Sequence, residues 1–439
     1  MSYNFLPVQR DQIFLMPPSL TDWLPEDHLA WFVVDAVDQM DLRPLYERYR
    51  EDGWGAAAFD PRMMVALLLY AYCMGERSSR RIERRCREDV AFRVICANHV
   101  PDHTTIARFR QNHEASLAAC FTEVLRLCGA AGLLRVGVVA LDGTKMEADA
   151  SLHANRSLPQ IEQEVTTMLA EAARADAEDD ARFGSARGDE LPSALRDRRS
   201  RIARLAQCRA RLEREHADRE TIYQQKLARR VVMEAERGKP LKGRKPKIER
   251  PRSPSSAKAN VTDPDSRVMR GSRGLIQGYN AQAVVTSDHI VVASAVTFQA
   301  NDRRLLRPMV ERAQTNLHDA GGGRMGMLLA DAGYWNEQEL ALLGPGAPYL
   351  LVAPLGGPPK APSIAKQRMH RRLATHQGRY WFSRRAQIVE PVFGAIKGPR
   401  AARRFMCRGL SACEAEWNLL CTTNNLLKLW RFRVRGMQR

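Results

Sequence analysis

No two of the nine cysteines form a C-x-x-C pair, and their number is odd. Cys73, Cys86, Cys96, Cys120, Cys128, Cys208, Cys407, Cys413 and Cys421 therefore read as reduced thiols of a cytoplasmic protein, not as a disulfide frame or a zinc site. Long apolar runs are also missing. The longest, Met63 to Met74, is too short to span a bilayer. It follows Asp60-Pro61, a helix start, and so reads as a buried soluble helix. Met1 to Gln9 lacks the basic-then-apolar layout of a signal peptide. No G-x-x-x-x-G-K-[ST] run is present, which argues against ATP dependence. The ten histidines show no metal-ligand spacing, and no Ser-His-Asp or Cys-His arrangement is signalled. Acidic residues are in deficit: 50 Asp and Glu stand against 68 Lys and Arg, a net charge of +18. That charge opposes compaction unless it serves a polyanion, and nucleic acid is the leading partner.

The chain has 439 residues, enough for two or three domains with a large core. Residues 1–130 read as all-helical. Pro25-Glu26-Asp27-His28 opens one helix and Asp60-Pro61 another. Glu76 to Arg85 is a dense basic cluster on a third. Asp102 caps a further helix that carries Arg108 and Arg110 on its exposed face. Short helices joined by tight turns, with basic residues on the last, suggest a helix-turn-helix that contacts DNA. The competing reading is a helical bundle with solvated charges.

Residues 131–158 bring the first strand, Val136 to Leu141, apolar except for Gly137 and followed by Asp142-Gly143-Thr144-Lys145. Residues 159–258 form a charged helical insertion ending in a Lys-, Arg- and Pro-rich linker. Its apolar spacing is loose for a coiled coil, and an antiparallel helical hairpin is an equal alternative. Residues 259–400 return to the sheet. Gly278 to Val285 and His289 to Val296 form a hairpin across Thr286-Ser287-Asp288. Asn301-Asp302 caps a helix, Met327 to Ala330 is a strand ending in Asp331, Asn336 opens a helix, and Tyr349 to Ala353 is a strand. A helix then carries Gln387 to Lys397. Residues 401–439 form a basic C-terminal helix and tail. The class is mixed α/β, with a central mixed sheet split by the insertion.

Taken alone, Asp142-Gly143 is a turn signal. A second buried strand ending in Asp331 changes the balance, because carboxylates at buried strand ends are costly unless paired or metal-bound. Glu390 lies on a helix beside Val389, Val392, Phe393 and Ile396, which suggests a helix packed on the sheet with Glu390 facing inward. Three such carboxylates suit hard divalent ions. Glu147, Asp263, Asp265, Asp288 and Asp302 read instead as residues beyond a strand, in turns or at helix caps.

The chain resembles the bacterial insertion-sequence DDE transposases, in particular the branch with a Tyr-Arg-Glu-Lys signature. The resemblance rests on Leu141-Asp142-Gly143-Thr144-Lys145, Thr262 to Arg267, Gly278-Tyr279-Asn280-Ala281-Gln282, Ala330-Asp331-Ala332-Gly333-Tyr334 and Val389 to Lys397, five motifs in order. It implies a ribonuclease H-like catalytic core behind an N-terminal helical DNA-binding or dimerisation domain. It implies that Asp142, Asp331 and Glu390 are catalytic and hold two Mg²⁺ or Mn²⁺ ions. The activity implied is cleavage at the element's ends, then attack of the liberated 3′-hydroxyl on target DNA. Lys397, Arg385, Arg384, Arg108, Arg110 and Lys145 are the expected DNA contacts. The implied partners are the terminal inverted repeats, target DNA and further copies of the chain, in a cytoplasmic, nucleoid-associated setting. The signature departs at Ser383 and Ala386, where Tyr and Arg are expected; Tyr380, Arg384 and Arg385 are the nearest candidates. Asp149 stands where an amide is expected. The other readings are a DNA-binding protein without chemistry and a hydrolytic nuclease on the same core.

Overall fold

The structure, a computed structural model, describes residues 19–49, 57–183, 193–241, 243–248, 257–271, 274–344, 346–354 and 363–437. The parts of the basic linker at 249–256 and of the Pro- and Gly-rich stretch at 355–362 lie outside the described residues.

A helical group comes first: α1 (Leu29–Asp38), α2 (Arg43–Tyr46), α3 (Pro61–Cys73), α4 (Ser79–Glu88), α5 (Val90–Ile95), α6 (His103–Asn112) and α7 (Glu114–Ala130). The start signals act as expected. Asp60 accepts the N–H of Arg62, and Pro61 fills the first helical position, where no donor is needed. Asp102 accepts the N–H groups of Thr104 and Thr105 at the start of α6. From Met64 to Cys73, α3 is buried on all sides, so it is the axis of this helical group. Arg108 is exposed on α6 as expected, but Arg110 is not. Its guanidinium turns inward to the Tyr72 hydroxyl, the Arg77 carbonyl and Ser79 Oγ. Arg110 ties α6 to α3 and to the start of α4, which removes it from the DNA-facing set.

The first strand, β1 (Val138–Glu147), is longer than its apolar run predicts. Asp142-Gly143 is not a turn; the strand runs straight through it because β5 pairs with it along the whole polar half. A short ribbon of β2 (Asn155–Ser157) and β3 (Lys258–Asn260) closes the base of the insertion. The insertion itself is a pair of long helices, α8 (Leu158–Phe183) and α9 (Ser193–Arg237). Ile161 packs there with Leu205, Cys208 and Leu212, and Glu164 binds Arg201. The hairpin reading is therefore the one that holds.

After the insertion come β4 (Arg267–Gly271), β5 (Gly274–Thr286) and β6 (Val291–Thr297), then α10 (Leu306–Asp319), β7 (Met327–Ala330), α11 (Glu337–Ala341) and β8 (Tyr349–Val352). The central path is β4-β5-β1-β7-β8, and β6 pairs with β5. β1 is antiparallel to β5 and parallel to β7, which is parallel to β8. The sheet is thus mixed, as expected. Edge strand β4 and helices α12 (Ile364–Ala374) and α13 (His376–Ser383) were not anticipated from the sequence. α14 (Arg385–Lys397) then lies across β1 and β5, burying Ile388, Val389, Val392, Phe393 and Ile396. Its Pro391 has no N–H, so the Gln387 carbonyl one turn back is freed and accepts from His289 Nε2 instead. The last helix, α15 (Leu410–Met437), is not a separate basic tail. It packs on β6, α7 and α3, and one hydrophobic core runs from Leu29 to Leu429.

Candidate active site

In the parallel register of β1 and β7, Leu141 pairs with Ala330. The next residues, Asp142 and Asp331, therefore sit side by side on neighbouring strands, which are spaced about 4.8 Å apart. Asp331 ends its strand and caps a short 3-10 turn, Ala332–Tyr334, by accepting the Gly333 N–H. Asp142 accepts the Gly143 N–H and forms a 2.6 Å ion pair with Arg385 Nη1. Burial pushes the Asp142 carboxyl above its ordinary value against the pull of Arg385 and the Gly143 N–H, and the Asp331 charge adds to the push. Desolvation thus outweighs the ion pair.

Side chains alternate along β1. Asp142 and Thr144 face α14, where they meet Arg385 and Lys397. Gly143 and Lys145 face the other way, towards Gln282 and Asp302. Lys397 donates to Thr144 Oγ1 and to the Lys145 carbonyl, so it staples the end of α14 to β1. Burial lowers its pKa, and Arg403 adds to that. Lys145 lies 3.8 Å from Asp302; burial lowers its pKa against the opposing pull of Asp302, Asp331 and Asp142.

Glu390 is the departure from expectation. It is exposed on α14, not turned inward, because the buried stripe of that helix runs through Val389, Val392 and Ile396 instead. Among the described residues, no group of three His, Cys, Asp or Glu gathers as a metal site. Arg384 is exposed and stacks 4.2 Å over the Tyr380 ring. Asp149, in the expected amide position, binds Arg404 and Arg408 at the surface.

Sequence reasoning missed a polar network beneath the aspartates. Asp302 is not a helix cap; α10 starts at Leu306 with no side-chain cap. Its carboxylate accepts from Asn280 Nδ2 at 2.7 Å and from Gln282 Nε2 at 2.9 Å. Gln282 Oε1 accepts from the Tyr334 hydroxyl, three residues after Asp331. The network therefore anchors the turn that presents Asp331. It also explains Gly143: a Cβ there would collide with Gln282 Nε2. The signal was available in Asn280 and Gln282, two amides at strand period inside an apolar run. Asp263 was read as a turn residue and is instead buried, with both carboxylate oxygens accepting from the Tyr279 hydroxyl.

Two family models match the chain: Transposase domain (DUF772) over residues 18–112 and Transposase DDE domain over residues 359–430. Both matched models are transposase models, and together they support an insertion-sequence DDE transposase. The two matches flank the sheet, one on the helical group and one on the segment holding α14 and α15. No curated protein and no solved structure gives a significant match. DDE transposase domains are in general dependent on divalent metal. In this chain the pair Asp142 and Asp331 fits such an ion: both offer hard oxygen, they are adjacent, and their mutual repulsion is what a cation relieves.

Proposed function

We propose that the protein binds the ends of an insertion sequence, cuts a DNA strand there and joins the freed 3′-hydroxyl to target DNA, on a ribonuclease H-like core. The observation that carries this reading is the register that sets Asp142 beside Asp331 at the centre of a mixed sheet. The sheet supports the core assignment, with an antiparallel hairpin on one side of β1 and parallel α/β crossovers on the other.

Asp142 and Asp331 would hold the divalent ion, Mg²⁺ or Mn²⁺. Glu390 is the third proposed ligand. It lies seven residues before Lys397, hence on nearly the same edge of α14, and Lys397 reaches β1. A bound pair of ions supplies Lewis-acid activation of the attacking oxygen and stabilises the leaving oxygen. Arg385 holds Asp142 in place and offsets its charge, and it is positioned to meet a phosphate that enters the site. Asp302, Gln282 and Tyr334 hold the Asp331 turn. Lys145, Arg384 and exposed Arg108 are the remaining proposed DNA contacts.

The test uses labelled element-end DNA with Mg²⁺, comparing wild type with Asp142→Asn, Asp331→Asn and Glu390→Gln. Each variant is expected to keep DNA binding and lose cleavage. Wild-type cutting by Glu390→Gln would remove that residue alone from the site; wild-type cutting by either Asp variant would overturn the reading. A strand-transfer product separates transposition from hydrolysis. A second readout is independent of activity: Mg²⁺ at a hundred times its Kd should stabilise wild type by about 2.7 kcal/mol and leave the double Asp variant unchanged.

A further inference from the structure

A cavity of about 630 Å³ lies away from the aspartate pair, between the helical group, the outer side of α14 and α15. Nothing in the proposed reaction uses it. Its size is that of a small-molecule site, not of a single ion. Arg400 lines it and is only 4% exposed. The Arg400 Nε and Nη1 atoms donate to the Ala395 and Leu420 carbonyls and to Thr423 Oγ1, while its Nη2 is buried with no partner among the described residues. Those partners are neutral oxygens, so a guanidinium is buried without a counter-charge, which is costly.

The surroundings add to the imbalance. Lys428 and Arg431 line the same cavity; Asp27 is the carboxylate in its lining among the described residues, and the acid whose charge reaches Lys428 is Asp288. His289 cannot supply an anion: its Nε2 faces the Gln387 carbonyl and its Nδ1 faces the Lys428 ammonium. It is held there at a positive φ of 65°, a conformation uncommon outside glycine. Asp288, the neighbouring acid, is exposed in the turn. The lining also holds apolar and aromatic side chains, Tyr70, Val392, Leu427 and Trp430.

We propose that this cavity binds a nucleotide phosphate, which supplies the counter-charge that Arg400 lacks, while the base lies against Tyr70 and Trp430. Cationic and aromatic side chains lining one cavity match a phosphate ester with a flat organic body. The phosphate could come from a free mononucleotide or from a DNA strand, and the experiment separates the two. It reads binding in the absence of divalent metal, so it stands or falls apart from the proposed cleavage chemistry.

Arg400 itself ties α14 to α15, so its variants risk the fold. The test therefore uses Lys428→Gln with Arg431→Gln, and as a control Arg229→Gln with Arg237→Gln, two exposed arginines on α9. Circular dichroism confirms that each folds. The probes are dAMP and a short single-stranded oligodeoxynucleotide. Saturable dAMP binding to wild type and to the control, weakened about tenfold or more in the cavity variant, would support the free nucleotide. No dAMP binding, but a loss of oligonucleotide affinity larger in the cavity variant than in the control, would support a DNA phosphate. If neither probe distinguishes the cavity variant from the control, the proposal is wrong.

Discussion

Asp142 carries opposing pressures on its charge. Burial and Asp331 favour the neutral acid, while Arg385 and the Gly143 N–H favour the carboxylate, and burial prevails. Folding therefore raises its pKa above the ordinary value of 3.8. The folded state then holds the proton more tightly than the unfolded chain. The resulting stabilisation is full below 3.8 and is lost as pH rises through the folded value. Asn has no proton to lose, so Asp142→Asn should flatten this part of the stability profile. The check is the thermal midpoint in chelator, followed from below the carboxylate range to neutrality. A parallel profile for wild type and variant would show that Asp142 does not titrate in this way. At this scale the sequence was legible where a carboxylate interrupts an apolar run, as at Asp142 and Asp331. It was not legible where a partner is remote: Arg385 meets Asp142 from 243 positions away, and Asp302 meets Asn280 and Gln282 across the sheet. Glu390 misled because its neighbours are buried while it lies just off their stripe.

A buried ion pair that no local pattern announces joins elements far apart in the chain. Arg77, between α3 and α4, binds Glu416 of α15 at 2.7 Å, with side-chain exposures of 9% and 1%. The other Glu416 oxygen accepts the N–H groups of Met406 and Cys407, and Arg77 also donates to the Arg404 and Ala401 carbonyls. Removing one partner leaves an uncompensated buried charge. Glu416→Ala should therefore cost about 3–5 kcal/mol in denaturant unfolding. A loss as small as that of a surface pair, about 1 kcal/mol or less, would mean that water compensates Arg77. Helices with strong start signals, α3 after Asp60 and α11 after Asn336, were legible because the cap chemistry is local. β1 was read short because Asp142 to Lys145 imitates a turn, and only pairing with β5 extends it. β4, α12 and α13 carry weak local patterns, and their order comes from what they pack against. The Arg372 guanidinium, for example, stacks on Tyr349 of β8.

The whole molecule shares one core between the helical group and the sheet, with α15 against both. Motions of the proposed DNA-binding face therefore cannot be independent of the aspartate pair in the way two linked domains would be. That face is legible in the charge balance but not in which arginines remain available. Arg110 and Arg77 are spent inside the fold, whereas Arg80, Arg81, Arg84, Arg85 and Arg87 are exposed along α4. The ion pairs of Arg81, Arg84 and Arg85 to Glu76, Glu88 and Asp89 lie at 3.6–3.7 Å on the surface, too weak to hold them from a phosphate. The net charge of +18 would then act through counterion release. Each phosphate neutralised contributes a slope of about −0.9 to log affinity against log salt for duplex DNA. The triple variant Arg80→Gln, Arg81→Gln, Arg84→Gln should make that slope shallower by about 0.9 for each phosphate it no longer neutralises, while Arg110→Gln should lower stability and leave the slope alone. The measurement is a salt titration of binding to element-end duplex. An unchanged slope in the triple variant would move the DNA off α4. A changed slope in folded Arg110→Gln would return that residue to the surface.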